Sequence, residues 1–176
     1  FFKLTKEQII IMIQSGSRGF GYQICQDYTR EMADGAKSFG IKLPSRGLAC
    51  APIHSELGER YMGAMACAVN FAFANRALMA TDTINAFSKF LNISQDSLGI
   101  ELLYDVAHNI AKKETHFGRK LLIHRKGATR ALPPGHQDNP EHYISTGHPV
   151  LLPGSMGTHS YIAVGLPRAK ETFCSV

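Results

Sequence analysis

Residues 55–79 constrain the fold most, because small and aromatic apolar side chains dominate them: Met62, Met65, Ala66, Val69, Phe71 and Phe73 stand among many alanines. Small residues on every side of a helix let a neighbour approach closely, so this stretch predicts a long helix laid on a sheet. Asn70, Asn75 and Arg76 interrupt the apolar face. Buried polar groups need partners, so these three either hold structure together or border a site, and the structural role is preferred. A second helix is predicted over 81–91, with Thr81 or Asp82 as its cap. An earlier one is predicted over 22–39, where Ile24, Tyr28, Met32 and Ala36 recur at helical spacing and Gly40 closes it.

Strands are predicted from short apolar runs at 9–13, 48–53, 101–107, 121–124, 149–152 and 161–166. The fold class that follows is α+β: a central layered β core, with the 22–39 and 55–79 helices packed outside. At 176 residues and 44% hydrophobic, the chain suits one ordinary domain with a real core. No apolar run is long enough to span a bilayer and no signal peptide opens the chain, so a soluble cytoplasmic protein is expected. The dispersed Cys25, Cys50, Cys67 and Cys174 form no C-x-x-C pair, which excludes a zinc ribbon and a thioredoxin motif. The chain opens on Phe1-Phe2 without Met and stops in apolar residues, so it reads as a piece of something longer.

Charge is placed unevenly. From His108 onward there are nine Lys/Arg against four Asp/Glu, and before it ten of each, so the net +5 belongs to the later part. Such an excess suits a polyanion such as nucleic acid; a merely solvated basic face has the same composition. Four polar segments qualify as anion sites. Gln14 to Gly21 follows an apolar run and holds Arg18 among glycines, where a guanidinium can grip a phosphate, or simply face solvent. His108 and Asn109 close a predicted strand as a possible ligand pair, though a lone histidine is more often structural. The run Arg125-Lys-Gly-Ala-Thr-Arg130 can contact phosphates. Residues 151–161 place Gly154, Gly157, Ser155, Thr158 and Ser160 between two strands, which suits a phosphate or purine edge and equally a plain hairpin turn. His136, His142 and His148 look incidental.

Taken together these segments resemble one family. Ser15-Gly-Ser-Arg-Gly19, Leu48-Ala-Cys-Ala-Pro52, Gly63-Ala-Met-Ala66, Asn70-Phe-Ala-Phe-Ala-Asn-Arg76, Asp105-Val-Ala-His-Asn109, His124-Arg-Lys-Gly-Ala-Thr-Arg130 and Pro153-Gly-Ser-Met-Gly157 occur in the order seen in RtcB-type RNA-splicing ligases and span nearly the whole chain. The resemblance implies an internal fragment, residues 1–176 being a single partial domain from the centre of an RtcB-like ligase. It implies a GTP- and manganese (Mn2+)-dependent reaction in which a histidine becomes guanylylated. The GMP group passes to an RNA 3′-phosphate, produced where needed from a 2′,3′-cyclic phosphate, and a 5′-hydroxyl end, as in tRNA halves, then displaces GMP. By position, His108 matches a manganese ligand that also lies against the guanylate, and Asn109 a neighbouring guanylate contact. Pro153, Gly154, Ser155, Met156 and Ser160 match the guanosine loop, and Arg18 and Lys126 match residues that hold RNA or terminal phosphate.

The sequence departs from that pattern in places. Gln14 stands where the family has a metal-binding histidine, and an amide oxygen is a poorer manganese ligand than imidazole. The upstream Asp, Cys and Asn-His ligands are absent, and the nucleophilic histidine belongs to a motif expected just after Val176. His148 and His159 replace smaller or neutral residues. This piece alone is therefore expected to be inactive and to hold no ordered manganese. The alternative is a noncatalytic RNA- or nucleotide-binding relative that has lost its metal chemistry.

Overall fold

The computed structural model describes residues 2–176 and is mixed α+β, in two units: residues 15–90, which are helical, and residues 2–14 with 91–176, which carry the strands. No helix among the described residues is long and apolar enough to cross a membrane.

In the helical unit, α1 runs Arg18–Gly35 and α2 runs Glu56–Leu91, ending one residue past the unit. The two helices are antiparallel. Phe20 meets Phe71 (5.6 Å between ring centroids), Tyr28 meets Tyr61 (5.3 Å), and Glu31 pairs with Arg60 at 2.9 Å, so positions rising along α1 fall along α2. Ala68 and Ala72, one turn apart, are buried on α2, with Met32 on α1. The small-residue face thus packs on a helix; the sheet expected beneath it is a helix instead. The break expected before residue 81 does not occur either. The hydroxyls of Thr81 and Thr83 donate to the carbonyls of Ala77 and Met79, which lets both threonines sit inside a continuous helix and not cap a new one. Residues 48–53 form no strand: Arg46–Leu48 is a 3-10 turn and the chain beyond is irregular.

The strand unit contains a four-residue helix α3 (Gln95–Leu98) and two separate two-stranded antiparallel sheets. Strands β1 (Asn109–His116) and β2 (Arg119–Lys126) are joined by Phe117 and Gly118, both at positive φ, the backbone of a two-residue hairpin turn. Strands β3 (Val150–Leu152) and β4 (Tyr161–Ala163) flank the 153–160 loop. The β2, β3 and β4 expectations hold, with β2 longer and the others shorter. Residues 9–13 and 101–107 are not strands. Ile9, Ile10 and Ile11 are exposed, and none of the described strands pairs with them. Asn109 therefore begins a strand, with His108 just before it, where a strand end was expected.

The core of this unit gathers Leu132, Pro133, Pro149, Val150, Cys174 and, unexpectedly, His148, all almost wholly buried. His148 is not incidental. Its Nε2 accepts from the Leu132 N–H at 3.3 Å, its Nδ1 lies 3.0 Å from the Pro149 carbonyl, and its ring stacks on Tyr104 at 5.0 Å. One nitrogen accepting and the other donating is the pattern of a neutral imidazole. Glutamate, arginine and a second histidine are also interior. Arg125 donates to both Glu114 oxygens (2.7 and 2.9 Å), to the Phe173 carbonyl (2.9 Å) and to Ser175 Oγ (2.9 Å), and His116 Nε2 lies 2.8 Å from Glu114 Oε2.

Candidate functional site

Three of the residues singled out in the sequence meet at the open end of the β1–β2 hairpin. Asn109 and Lys126 are register partners, and the Gly127 N–H donates to Asn109 Oδ1 at 2.8 Å. That bond fixes the amide, so the Asn109 Nδ2 donors remain for a partner outside the hairpin. Lys126 is exposed beside it. His108, half-buried, sits at the bend immediately before Asn109. An imidazole, a primary amide and an ammonium are thus placed at one end of one hairpin, a combination suited to phosphate oxygens. Arg125 was grouped with Lys126 as a phosphate contact, and that is corrected. Its guanidinium is buried and used by Glu114, Phe173 and Ser175, so it cannot reach solvent.

Residues 153–160 form an exposed loop whose polar groups bond largely to one another. The Gly154 N–H donates to Ser160 Oγ (3.0 Å) and the Ser155 N–H to Thr158 Oγ1 (2.8 Å), while the Thr158 hydroxyl donates to the Ser155 carbonyl (2.9 Å). These bonds fix the loop's shape and leave the Ser160 hydroxyl hydrogen free to donate outward. Met156 is fully exposed. Gly157 has φ +83°. Gly154 is needed for a different reason, close approach: a Cβ there would stand 2.3 Å from the His159 carbonyl oxygen. No hydrogen bond among the described residues joins this loop to His108 or Asn109.

Arg18 belongs to the helical unit. Residues 14–21 are not an open glycine loop, because α1 already starts at Arg18. Asn75 Nδ2 donates to Ser15 Oγ (2.9 Å) and the Gly16 carbonyl (3.0 Å), and Arg76 donates to the Ser15 carbonyl (3.1 Å). The structural role expected of Asn75 and Arg76 is therefore borne out: they clamp the segment that presents Arg18. Arg18 itself is exposed at φ +52°, a conformation L side chains rarely adopt. The same unit holds a shallow cavity of about 380 Å³ beside α1, lined in part by Cys25, Gln26, Arg30 and Arg46, none of them expected from the sequence.

Among the described residues no three His, Cys, Asp or Glu side chains gather closely enough to hold a metal ion. Gln14 is exposed and offers only an amide. His108 can supply one imidazole, which by itself does not fit a manganese centre.

Residues 1–176 match the family model described as tRNA-splicing ligase RtcB. Curated proteins named tRNA-splicing ligase RtcB are similar along almost the whole chain. The Methanococcus maripaludis protein is 48% identical over 97% of this chain and 36% of its own length. The Archaeoglobus fulgidus protein is 50% identical over 99% of this chain and 37% of its own length. The Methanocaldococcus jannaschii protein is 49% identical over 98% of this chain and 18% of its own length. The chain thus spans well under half the length of the curated relatives it matches.

Proposed function

The chain belongs to the tRNA-splicing ligase RtcB family, and from that premise we propose that it is the central part of an RNA ligase. The enzyme joins RNA ends bearing a 3′-phosphate or 2′,3′-cyclic phosphate to 5′-hydroxyl ends, with tRNA halves as its substrates. GTP supplies the guanylyl group that activates the 3′ end, through a histidine in a motif beyond Val176. The observation that carries this reading is the match over residues 1–176, at 48–50% identity to the relatives above.

The roles follow the chemistry of the side chains. Asn109, pinned by Gly127, offers Nδ2 donors to the guanylate phosphate. Lys126 and Arg18 offer exposed charge to RNA phosphates. The 153–160 loop, with Pro153, Gly154, Ser155, Met156 and Ser160, supports the guanosine through a shape set by its internal bonds. We place Asn109, Lys126, the 153–160 loop and His108, all of the strand unit, around one cleft of the longer protein, which carries the layered β core of an RtcB-like domain and works in the cytoplasm. His108 contributes one ligand to a manganese centre whose remaining ligands lie outside these residues.

A second reading is favoured by Gln14: a relative that binds RNA or nucleotide and has lost metal chemistry. The experiment is ligation by the full-length protein of paired RNAs ending in 2′,3′-cyclic phosphate and 5′-hydroxyl, with GTP and Mn2+. Joined RNA with release of GMP is expected. Retained RNA or GTP binding without any joined product selects the second reading.

A further inference from the structure

Lys112 and Arg130 are two half-buried cations of the strand unit to which neither the hairpin mouth nor the 153–160 loop gives a role. Lys112 lies on β1, two residues from Glu114 and so on the same face of the hairpin. Arg130 is held by an antiparallel bridge to Ser175, the residue whose hydroxyl takes the Arg125 Nε–H. Among the described residues neither side chain has an ion-pair partner, and the buried Arg130 Nε has no hydrogen-bond partner. Glu114 lies on the same face, but both its oxygens are committed to Arg125. Burial lowers the Lys112 pKa, and so do the charges of Arg130 and Arg125, with only Glu114 acting the other way. The surroundings therefore hold three cations against one carboxylate, and half-buried cations without acceptors call for an anion.

We propose that Lys112 and Arg130 together bind a phosphate group, at a position separate from Asn109 and Lys126. The ligand class rests on the RNA ligase reading, and the phosphate belongs either to an RNA backbone or to a nucleotide. An ammonium and a planar guanidinium suit it, the first as a point charge and the second as a bidentate donor.

The test uses the full-length protein, its Lys112→Gln/Arg130→Gln double variant and the two single variants. Thermal unfolding is followed against inorganic phosphate, and this readout needs no ligation. Phosphate should raise the wild-type melting temperature, since a ligand that binds only the native state stabilises it. The double variant should lose that rise. Its melting temperature without phosphate should not fall, because two uncompensated charges have been removed. Two binding titrations then distinguish the sources. Weaker single-stranded RNA binding, with the log–log salt slope reduced by about one per contact, assigns the phosphate to RNA. GTP binding weakened about tenfold with RNA binding unchanged assigns it to nucleotide. A double variant that keeps the full phosphate-induced rise overturns the site. So does a sharp drop in melting temperature for Arg130→Gln alone, which would show a structural acceptor elsewhere in the protein. Should the double variant not fold, Lys112→Gln alone carries the same comparison. Loss of the phosphate effect in a protein that fails to ligate would retain this site and reject only the enzymatic reading.

Discussion

Arg125 and Glu114 face each other across the β1–β2 hairpin as a buried bidentate pair, at 2.7 and 2.9 Å. The remaining donors of Arg125 tie the hairpin to residues 173 and 175, so one guanidinium joins two distant pieces of chain. Removing either partner leaves the other charged and desolvated. Glu114→Gln should cost about 3–5 kcal/mol of stability, as expected for breaking a buried pair. Replacing both at once, as Glu114→Leu/Arg125→Met, should cost much less than the two single changes added together. Urea unfolding of the four proteins measures this directly, and additive losses would show that the pair is not coupled.

Acid should weaken the fold in two separate stages. Burial pushes the His148 pKa below its ordinary 6.5, the hydrogen bond to the Pro149 carbonyl opposes this only in part, and Arg130, Lys112 and Arg125 push it down further. The unfolded chain then takes up a proton near pH 6.5 while the native chain refuses it. Stability is complete above about 6.5 and falls as pH drops below it, by up to about 1.4 kcal/mol per pH unit until native His148 itself protonates. Glu114 acts lower. Burial pushes its carboxyl up, but hydrogen bonds from Arg125 and His116 and the Arg125 charge outweigh burial and hold it below its ordinary 4.5. Its share of stability is present above about 4.5 and is lost as pH falls further. Melting temperatures from about pH 8 down to about pH 2 should show both stages, and His148→Gln should flatten the upper one. An unchanged slope near pH 6 in that variant would place the titration elsewhere.

Local chemistry announced some of this architecture and hid the rest. The β3–β4 hairpin was legible because two apolar runs frame a loop of glycines and hydroxyls. Strand β1 was not, since Asn-Ile-Ala-Lys-Lys-Glu-Thr-His looks like a solvated segment. Its buried Glu114 and His116 are tolerated because Arg125 on the paired strand donates to Glu114 and Glu114 in turn bonds His116, contacts that the β1 sequence does not announce. The spacing of Glu114 and His116, two apart and so on one face of an extended chain, was the available signal. Residues 9–13 failed the other way, since an apolar run specifies a strand only where a neighbouring edge accepts it. Thr81 carried a strong cap signal, which the back-bond to Ala77 overrode.

The shape of the 153–160 loop depends on Gly154. A methyl group there would meet the His159 carbonyl, so Gly154→Ala must displace loop backbone. The hairpin ends freely in solvent, so overall stability should fall by no more than about 1–3 kcal/mol. GTP affinity of the full-length protein should fall about tenfold, because the loop's shape is what presents Ser155 and Ser160. A Gly154→Ala protein with wild-type GTP affinity would remove the loop from the nucleotide site.

Asn109 separates two tasks that one deletion would confuse. Asn109→Asp keeps an oxygen to accept the Gly127 N–H, so the hairpin mouth should stay intact. It removes both Nδ2 donors and adds a negative charge, so guanylate binding should weaken by an order of magnitude or more. Asn109→Ala loses the Gly127 bond as well, at about 0.5–1.5 kcal/mol of stability, but adds no repulsion. Aspartate should therefore be the worse change for nucleotide binding and the milder one for stability. Calorimetric GTP titration beside thermal melts decides it, and alanine ranking worse on both would show that Asn109 serves the hairpin alone.

Gln14 bears on whether metal chemistry survives. It presents a neutral amide oxygen at an exposed position, and the described residues gather no three strong ligands around His108 or anywhere else. Dehydrating Mn2+ requires several good donors at once, and imidazole is a better one than an amide. Within the full-length protein, Gln14→His should raise manganese affinity by about tenfold, the scale on which ligand-shell changes act. If the remaining ligands are present there, ligation should rise with it. Manganese titration by calorimetry of the wild type and the variant makes the comparison at fixed pH, because imidazole binds metal only when neutral. Equal affinity in the two proteins would show that position 14 is not a metal ligand, and the correspondence drawn there from the family would be withdrawn.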